Sequence, residues 1–403
     1  MKFNVAIIFG GRSTEHEVSV ISALQTIENI DKEKYNVLPI YMDKKGDFYY
    51  SNESILTDSK NYKDMNKLLK RCVNIYFVKD KNNTYIRNVE SKIFGKKINH
   101  IVDIAFPVVH GTNVEDGNLQ GFLHTLNIPI VGPDTLSAAL SMDKFVMKKY
   151  IAALDVPVID AIRIDKNDFN VVDDTISLLE FKIGYPMIVK PVNLGSSIGI
   201  RKANDRKSLN EALELAFTFA SIILVEKAIV NLREINCAVL GDKFDCITSV
   251  LEEPFGSDEI LSFADKYMSG GKGSKGIKFS GSKLNSNLKA GSTSVKSGMA
   301  SLKRKIPAEI DEKTAYEIRE YAKKIFKYLA CSGIARIDFI IDKDTGKVYA
   351  NEINSIPGSL SYYLFEPMGI KFNELIDRLI NIALDNFKRE ERLSFTFENN
   401  LLK

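Results

Sequence analysis

An unbroken apolar run, Val5–Phe9, followed by Gly10 and Gly11, predicts a buried strand that ends in a turn. A helical pattern comes next. Val18, Ile21 and Leu24 recur at helical spacing, and Thr14 with Glu17 has the spacing of a capping box. "KYNVLPIYMD" predicts a second strand and "HIVDIAFPVVHG", residues 100–111, another. Strands alternating with helices predict an open α/β sheet, whose ligand crevice lies at the carboxyl ends of the strands, where Glu15 and His110 stand. Beyond Gly132 the pattern changes. "SAALSMDKFVMKKYIAAL" predicts one helix, "YPMIVKPVNLGSSIGI" (185–200) a strand, a glycine-serine loop and a strand, "SLNEALELAFTFA" a helix and "IILVEKAI" a strand. These form a small α+β module. "REINCAVLG" and "DCITSVL" predict two more strands, followed by a helix over about 311–330, a hairpin at 335–354 and a last helix near 372–386.

The hairpin "ARIDFIIDKDTGKVYANEIN" carries the clearest chemistry. "KDTGK" supplies turn residues between two β-rich runs, and side chains alternate faces along each strand. Arg336, Asp338 and Ile340 share one face, and Ala350, Glu352 and Asn354 share a face on the return strand. A loop centred on Thr345 sets Asp338 opposite Glu352. Facing carboxylates repel, so a cation belongs between them, and hard oxygen ligands suit Mg²⁺ that shares its shell with phosphate. A solvated strand face neutralised by Arg336 fits the same pattern.

Other candidates are weaker alone. Lys190 ends a strand, and the amides around Gly195–Ser197 can turn toward an anion, but Gly-Ser turns are common. Lys144 alone reads as a solvated helical lysine, Glu15 as a carboxylate at a helix N-terminus and His110 as a strand-end residue. There is no G-x-x-x-x-G-K-[ST], G-x-S-x-G or H-E-x-x-H motif, which excludes a P-loop and weakens the hydrolase readings.

Composition changes the picture in one place. The 403 residues allow two or three domains of a soluble globular protein. The four cysteines form no C-x-x-C pair and the four histidines are scattered, which suits a reduced cytoplasmic protein without a zinc site. No apolar run approaches a membrane span, and the N-terminal run is too short for a signal peptide. Net charge is only +3, yet residues 266–305 hold nine Lys, one Arg and no acidic residue among Gly and Ser. Such a segment suits a linker, a nucleic-acid-binding module or a lid. Phe279 is the only aromatic between Met268 and Lys305, too few for base stacking.

Together, "IIFGGRSTEHEVSVISA", "VVHGTNVEDGNLQGFLHTLNIPIVGPDTLSAALSMDKFVMK", "IVKPVNLGSSIGI", "ILVEKAI", "ADKY", "GIARIDFIID" and "NEINSIPG" resemble, in order and over nearly the whole chain, the D-alanine–D-alanine ligases of the ATP-grasp superfamily. The resemblance implies an α/β fold of the α+β ATP-grasp type. Its units would be an N-terminal open parallel sheet domain (1–132), a central subdomain (133–225) and a C-terminal catalytic domain (226–403) with a lid loop at 265–305. It implies ATP-dependent joining of two D-alanines through an acylphosphate, for peptidoglycan precursor synthesis. Lys144 and Lys190 would grip the ATP phosphates, Ser196 and Ser197 would cap them, and Glu226 and Lys227 would face the adenine. Asp338, Glu352 and Asn354 would hold two Mg²⁺ (or Mn²⁺) ions. Arg336 and the Gly358 amide would stabilise the acylphosphate and the oxyanion. Glu15 would hold the first ammonium, with His110 near the first carboxylate. Lys266 and Tyr267 would open the lid, Lys266 near the phosphates and Tyr267 toward Glu15 and Ser196. The family is commonly a cytoplasmic homodimer acting on small molecules, without nucleic acid or membrane.

Three departures stand out. Tyr363 occupies the position, five residues after Gly358, where the family often has a serine for the second carboxylate. This leaves open a ligase with D-lactate, D-serine or another amino acid as second substrate. One extra residue separates Glu226 from Glu234, the ribose candidate, and the segment after "DKY" is longer and more basic than usual.

Overall fold

The computed structural model describes residues 2–90, 97–170, 172–254 and 304–396. Its first sheet contains β1 (Phe3–Gly10), β2 (Tyr35–Met42), β3 (Phe48–Tyr50), β4 (Val73–Asp80), β5 (Asn83–Asn88), β6 (Asn99–Val102) and β7 (Ile104–Pro107). The order is β6-β5-β4-β3-β2-β1-β7. The sheet is parallel at its core, where β1 pairs with β2 and β7, and antiparallel from β2 outward to β6. Val5 to Phe9 are wholly buried, as the apolar run requires of a strand covered on both faces. Around it lie α1 (His16–Asn29), α2 (Met65–Lys70) and α3 (Asn118–Thr125).

Two helices follow, α4 (Thr135–Met142) and α5 (Lys144–Ala152). The second sheet, ordered β10-β9-β11-β8, is antiparallel and built from β8 (Ala161–Asp165), β9 (Met187–Pro191), β10 (Arg201–Ala203) and β11 (Ile222–Lys227). Helices α6 (Val172–Lys182) and α7 (Arg206–Ala216) share its core. The third, ordered β14-β13-β12-β15-β16, contains β12 (Leu232–Gly241), β13 (Cys246–Pro254), β14 (Arg304–Lys305), β15 (Gly333–Asp342) and β16 (Val348–Asn354). Helix α8 (Glu312–Tyr328) packs on it, capped by Asp311, whose carboxylate accepts from the Thr314 amide. Its stripe of Ala315, Ile318, Ala322, Ile325 and Phe326 joins Met147 and Ile151 of α5 in one core. Helix α9 (Phe372–Glu390) instead packs into the core of the first sheet, with Ile356, Leu360 and Leu364.

Several sequence expectations change locally. Helix α1 begins at His16 with Glu15 at its N-cap and no side-chain cap; Glu17 pairs with Lys44 instead of closing a box with Thr14. The helix expected through Lys144 is two, because the Asp143 carboxylate takes the Phe145 and Val146 amides and starts a new helix. The strand expected at 100–111 splits at Asp103, whose carboxylate accepts the Asn4 amide. In the hairpin, Asp338 does face Glu352 and Arg336 faces Asn354. A bulge just beyond the Asp338–Glu352 pair, on the turn side, pairs Phe339 with Ala350, so Ala350 lies in the core rather than beside Glu352.

Candidate active site

The register of the third sheet sets four polar residues in one row. Glu252 on β13 pairs with Asn236 on β12, Asn236 with Asp338 on β15, and Asp338 with Glu352 on β16. All four line a cleft of about 1050 Å³, its open mouth included. Three carboxylates on one face would repel, and each has its own cation. Arg304 meets Glu252 at 2.7 Å. Arg336 grips Asp338 with a bidentate fork at 2.7 and 2.8 Å, and Lys144 stands 3.7 Å from Glu352. Burial works against the Arg336 charge, but Asp338 outweighs it and holds the guanidinium firmly protonated.

Asn354 donates to Asp338 at 3.0 Å, which brings two carboxylates and an amide together. Among the described residues no group of three or more His, Cys, Asp or Glu is assembled for a metal. Two facing carboxylates and an amide oxygen are hard donors, which suit a hard cation that takes few protein oxygens and shares its shell with a ligand.

At one end of the row, Arg304 lies over the Tyr363 ring at 4.3 Å, and the Tyr363 hydroxyl reaches Glu252 at 3.4 Å. At the other end, the Lys144 ammonium donates to the Leu194 carbonyl at 2.7 Å, at the start of the glycine-serine loop. Ser196 in that loop donates to the buried Glu15 carboxylate. Glu15 fits because its neighbours lack side chains: a Cβ on Gly195 would stand 2.6 Å from its Oε2, and one on Gly111 2.9 Å.

A second electrostatic cluster lies outside the cleft lining. The buried Glu226 carboxylate is shared by Lys190 at 2.5 Å and Lys148 at 3.0 Å. Burial raises the Glu226 pKa, but the two ammonium groups outweigh it and leave it lowered. Burial brings Lys148 down to about 8, against the pull of Glu226. Lys227 is exposed and donates to the Tyr185 and Gly184 carbonyls.

Glu115 is the third feature. Its carboxylate accepts the Gly111 and Ile356 amides, both at 2.9 Å, and the Ser355 hydroxyl at 3.2 Å. Burial raises it to about 8 despite those donors, and Glu15 adds to the rise. Burial likewise lowers His110 to about 4, so the ring is neutral near pH 7. Nearby, Ser359, Leu360 and Ser361 have φ of 52°, 50° and 45°. Each such non-glycine residue costs about 1–2 kcal/mol, so the surroundings must hold this turn.

The cleft thus brings together Glu15, His110, Lys144, Ser196, Glu234, Arg336, Asp338, Glu352, Asn354 and Gly358. Lys190, Ser197, Glu226, Lys227 and Tyr363 are not among its lining residues. Lys266 and Tyr267, with most of the expected lid, lie outside the described residues. Sequence reasoning passed over Glu115, Lys148, Asn236, Glu252 and Arg304. Two of these left a signal: Lys148 is one helical turn after Lys144, and Asn236 follows Glu234 at the two-residue period of a strand face.

Residues 4–133 match the D-ala D-ala ligase N-terminus family, and residues 150–290 and 293–381 the D-ala D-ala ligase C-terminus family. A D-alanine–D-alanine ligase of Thermosipho melanesiensis is 39% identical over 400 residues, covering 99% of this chain and 98% of the relative. One from Caldicellulosiruptor bescii is 36% identical over 410 residues, covering 98% and 99%. The D-alanine–D-alanine ligase structure from Coxiella burnetii superposes with a TM-score of 0.75 at 26% identity, over 97% of this chain and 96% of that one. The VanG D-Ala:D-Ser ligase from Enterococcus faecalis gives 0.74 at 29% identity, over 95% and 100%. The mixed α/β architecture is that of the ATP-grasp ligases, and the chain belongs to the D-alanine–D-alanine ligase family.

Proposed function

We propose that the cleft joins two D-alanines into D-alanyl-D-alanine, a peptidoglycan precursor, using ATP. The observation that carries this reading is the row Glu252–Asn236–Asp338–Glu352 with a cation at each carboxylate, in a chain of this family. A carboxylate oxygen of the first D-alanine attacks the γ-phosphorus of ATP, and ADP leaves. The amine of the second attacks the resulting acylphosphate carbonyl, the ammonium proton is lost and phosphate departs with the carboxylate oxygen. Such chemistry needs positioning and positive charge more than a protein nucleophile.

Glu15, oriented by Ser196, holds the first ammonium, with His110 beside that amino acid. Lys144, Lys190 and the amides of Ser196 and Ser197 hold phosphate oxygens. Glu226 and Lys227 face the adenine, and Glu234 the ribose. Asp338, Glu352 and Asn354 would hold Mg²⁺ or Mn²⁺, two ions in all, which neutralise phosphate charge when bound. Arg336 and the Gly358 amide meet the charge that develops at the reacting carbonyl. Tyr363 bounds the second-substrate end. The chain works as three units, 1–132, 133–225 and 226–403, in a cytoplasmic homodimer; among the described residues no helix is long and apolar enough to cross a membrane.

The test is an acceptor panel. With ATP, Mg²⁺ and D-alanine, ADP and D-alanyl-D-alanine form together, and D-alanine outcompetes D-serine, D-lactate and L-alanine as second substrate. Preference for another acceptor would overturn the assignment.

A further inference from the structure

The backbone that carries Gly358 is held by one hydrogen bond of its own, from the Leu360 amide to the Pro357 carbonyl at 2.8 Å, and by contacts from outside it. It leaves β16, passes Gly358 at the cleft wall, and enters the left-handed turn Ser359–Ser361. Its support comes from the far side of the molecule in sequence. Ser22 on α1 accepts the Ser359 amide at 3.0 Å, and the same hydroxyl shares a 3.0 Å hydrogen bond with Nε2 of His110. Glu115 accepts the Ile356 amide at 2.9 Å. The two fixed amides stand on either side of Gly358, and Ser22, His110 and Ser359 are buried. Leu360 is buried too, packed into the core that α9 shares with the first sheet.

We propose that Ser22, with Glu115, is a positioning residue for the ligation: the two clamp the Ile356–Ser359 backbone so that the Gly358 amide is aimed at the developing oxyanion. This rests on the proposed assignment of Gly358 as an oxyanion donor. Neither residue needs to touch the reacting atoms. Ser22 acts through one hydrogen bond and Glu115 through another, and both belong to the N-terminal part of the chain while the donor belongs to the C-terminal part. Ser22→Ala deletes the acceptor of a buried amide next to a strained turn, which frees the turn to relax. Donor misplacement on that scale reaches about a hundredfold in rate.

The experiment compares wild type, Ser22→Ala and Ser22→Thr in steady-state ADP release. In parallel it measures binding of ADP and of a phosphinate dipeptide analogue, which mimics the tetrahedral species. Ser22→Ala is expected to lower kcat between about tenfold and a hundredfold. It should weaken the phosphinate by a similar factor and leave ADP affinity within about twofold. Ser22→Thr, which keeps the hydroxyl, restores most of both. A folded Ser22→Ala protein with kcat and phosphinate affinity near wild type would overturn the proposal. So would a loss shared equally by ADP, which signals general disorder of the site. If Ser22→Ala does not fold, Ser22→Cys, a weak acceptor of similar size, is read in the same way. A wild-type protein that makes no dipeptide would instead refute the function on which the proposal rests.

Discussion

Lys148→Met offers a sharp test of the electrostatics, because Lys148 sits beside the proposed phosphate site rather than in it. The triad of Lys148, Glu226 and Lys190 carries one negative and two positive charges, all three side chains at most 5% exposed. On the proposed assignment, its spare positive charge would let Lys190 turn toward an ATP phosphate while Lys148 remains to neutralise Glu226. Methionine keeps the length and removes the ammonium. Lys190 must then either stay on Glu226 or leave a buried carboxylate without a counter-ion. Breaking a buried pair costs about 3–5 kcal/mol, and the lower end of that range corresponds to roughly a hundredfold in affinity. Calorimetric titration of ATP should therefore show Kd weaker by that order. Circular dichroism should confirm an intact fold. A folded Lys148→Met protein that binds ATP within threefold of wild type would show that Lys148 does not free Lys190 for the phosphate.

Asp338→Asn and Glu352→Gln should each keep the fold and cut ATP turnover by about a hundredfold or more, the scale of one lost preorganised electrostatic contact. Turnover close to wild type in either variant would remove the metal assignment. Arg336→Lys should lower kcat on the same scale, roughly 10²–10³-fold, because a point charge cannot reproduce the planar fork that holds both Asp338 oxygens. Unchanged kcat would show that the fork is structural only. Glu115→Gln should alter stability against pH. With its pKa raised to about 8 from 4.5, folded Glu115 retains a proton that the unfolded chain releases. Its contribution is full below pH 4.5 and is lost as pH rises through 8. His110, lowered from 6.5 to about 4, acts in the opposite sense only below pH 6.5. Urea midpoints should therefore fall in wild type as pH rises from 6.5 toward 8, where Lys148, lowered to about 8, begins to offset the fall, and should not fall in Glu115→Gln. Parallel curves would contradict it.

The pairing of Asp338 with Glu352 was legible in the sequence because both the two-residue period and the turn that sets the register are local. The bulge beside that pair was not, since nothing in the composition of "VYANEIN" marks the extra residue; only the core's demand for Val348, Ala350 and Ile353 together reveals it. The full row was hidden for a longer-range reason. Asn236 and Glu252 join it only through strand registers across β12 and β13, which a single sequence does not specify. Lys148 needed the knowledge that α5 lies against β11, and Ser22 the knowledge that α1 lies beneath the Gly358 turn. Strands β3 to β5 went unread because their alternation is weak: half-buried positions and exposed polar residues replace a clean apolar face.

The proposed reaction is phosphorylation of a D-alanine carboxylate by ATP in this cleft, followed by its capture by a second D-alanine. It is tested most directly by carrying out the reaction with D-alanine labelled with ¹⁸O in its carboxylate and analysing the released phosphate by mass spectrometry. Each phosphate should carry one ¹⁸O atom, and one phosphate should form for each D-alanyl-D-alanine. Phosphate released without label, or ADP formed without dipeptide, would contradict it.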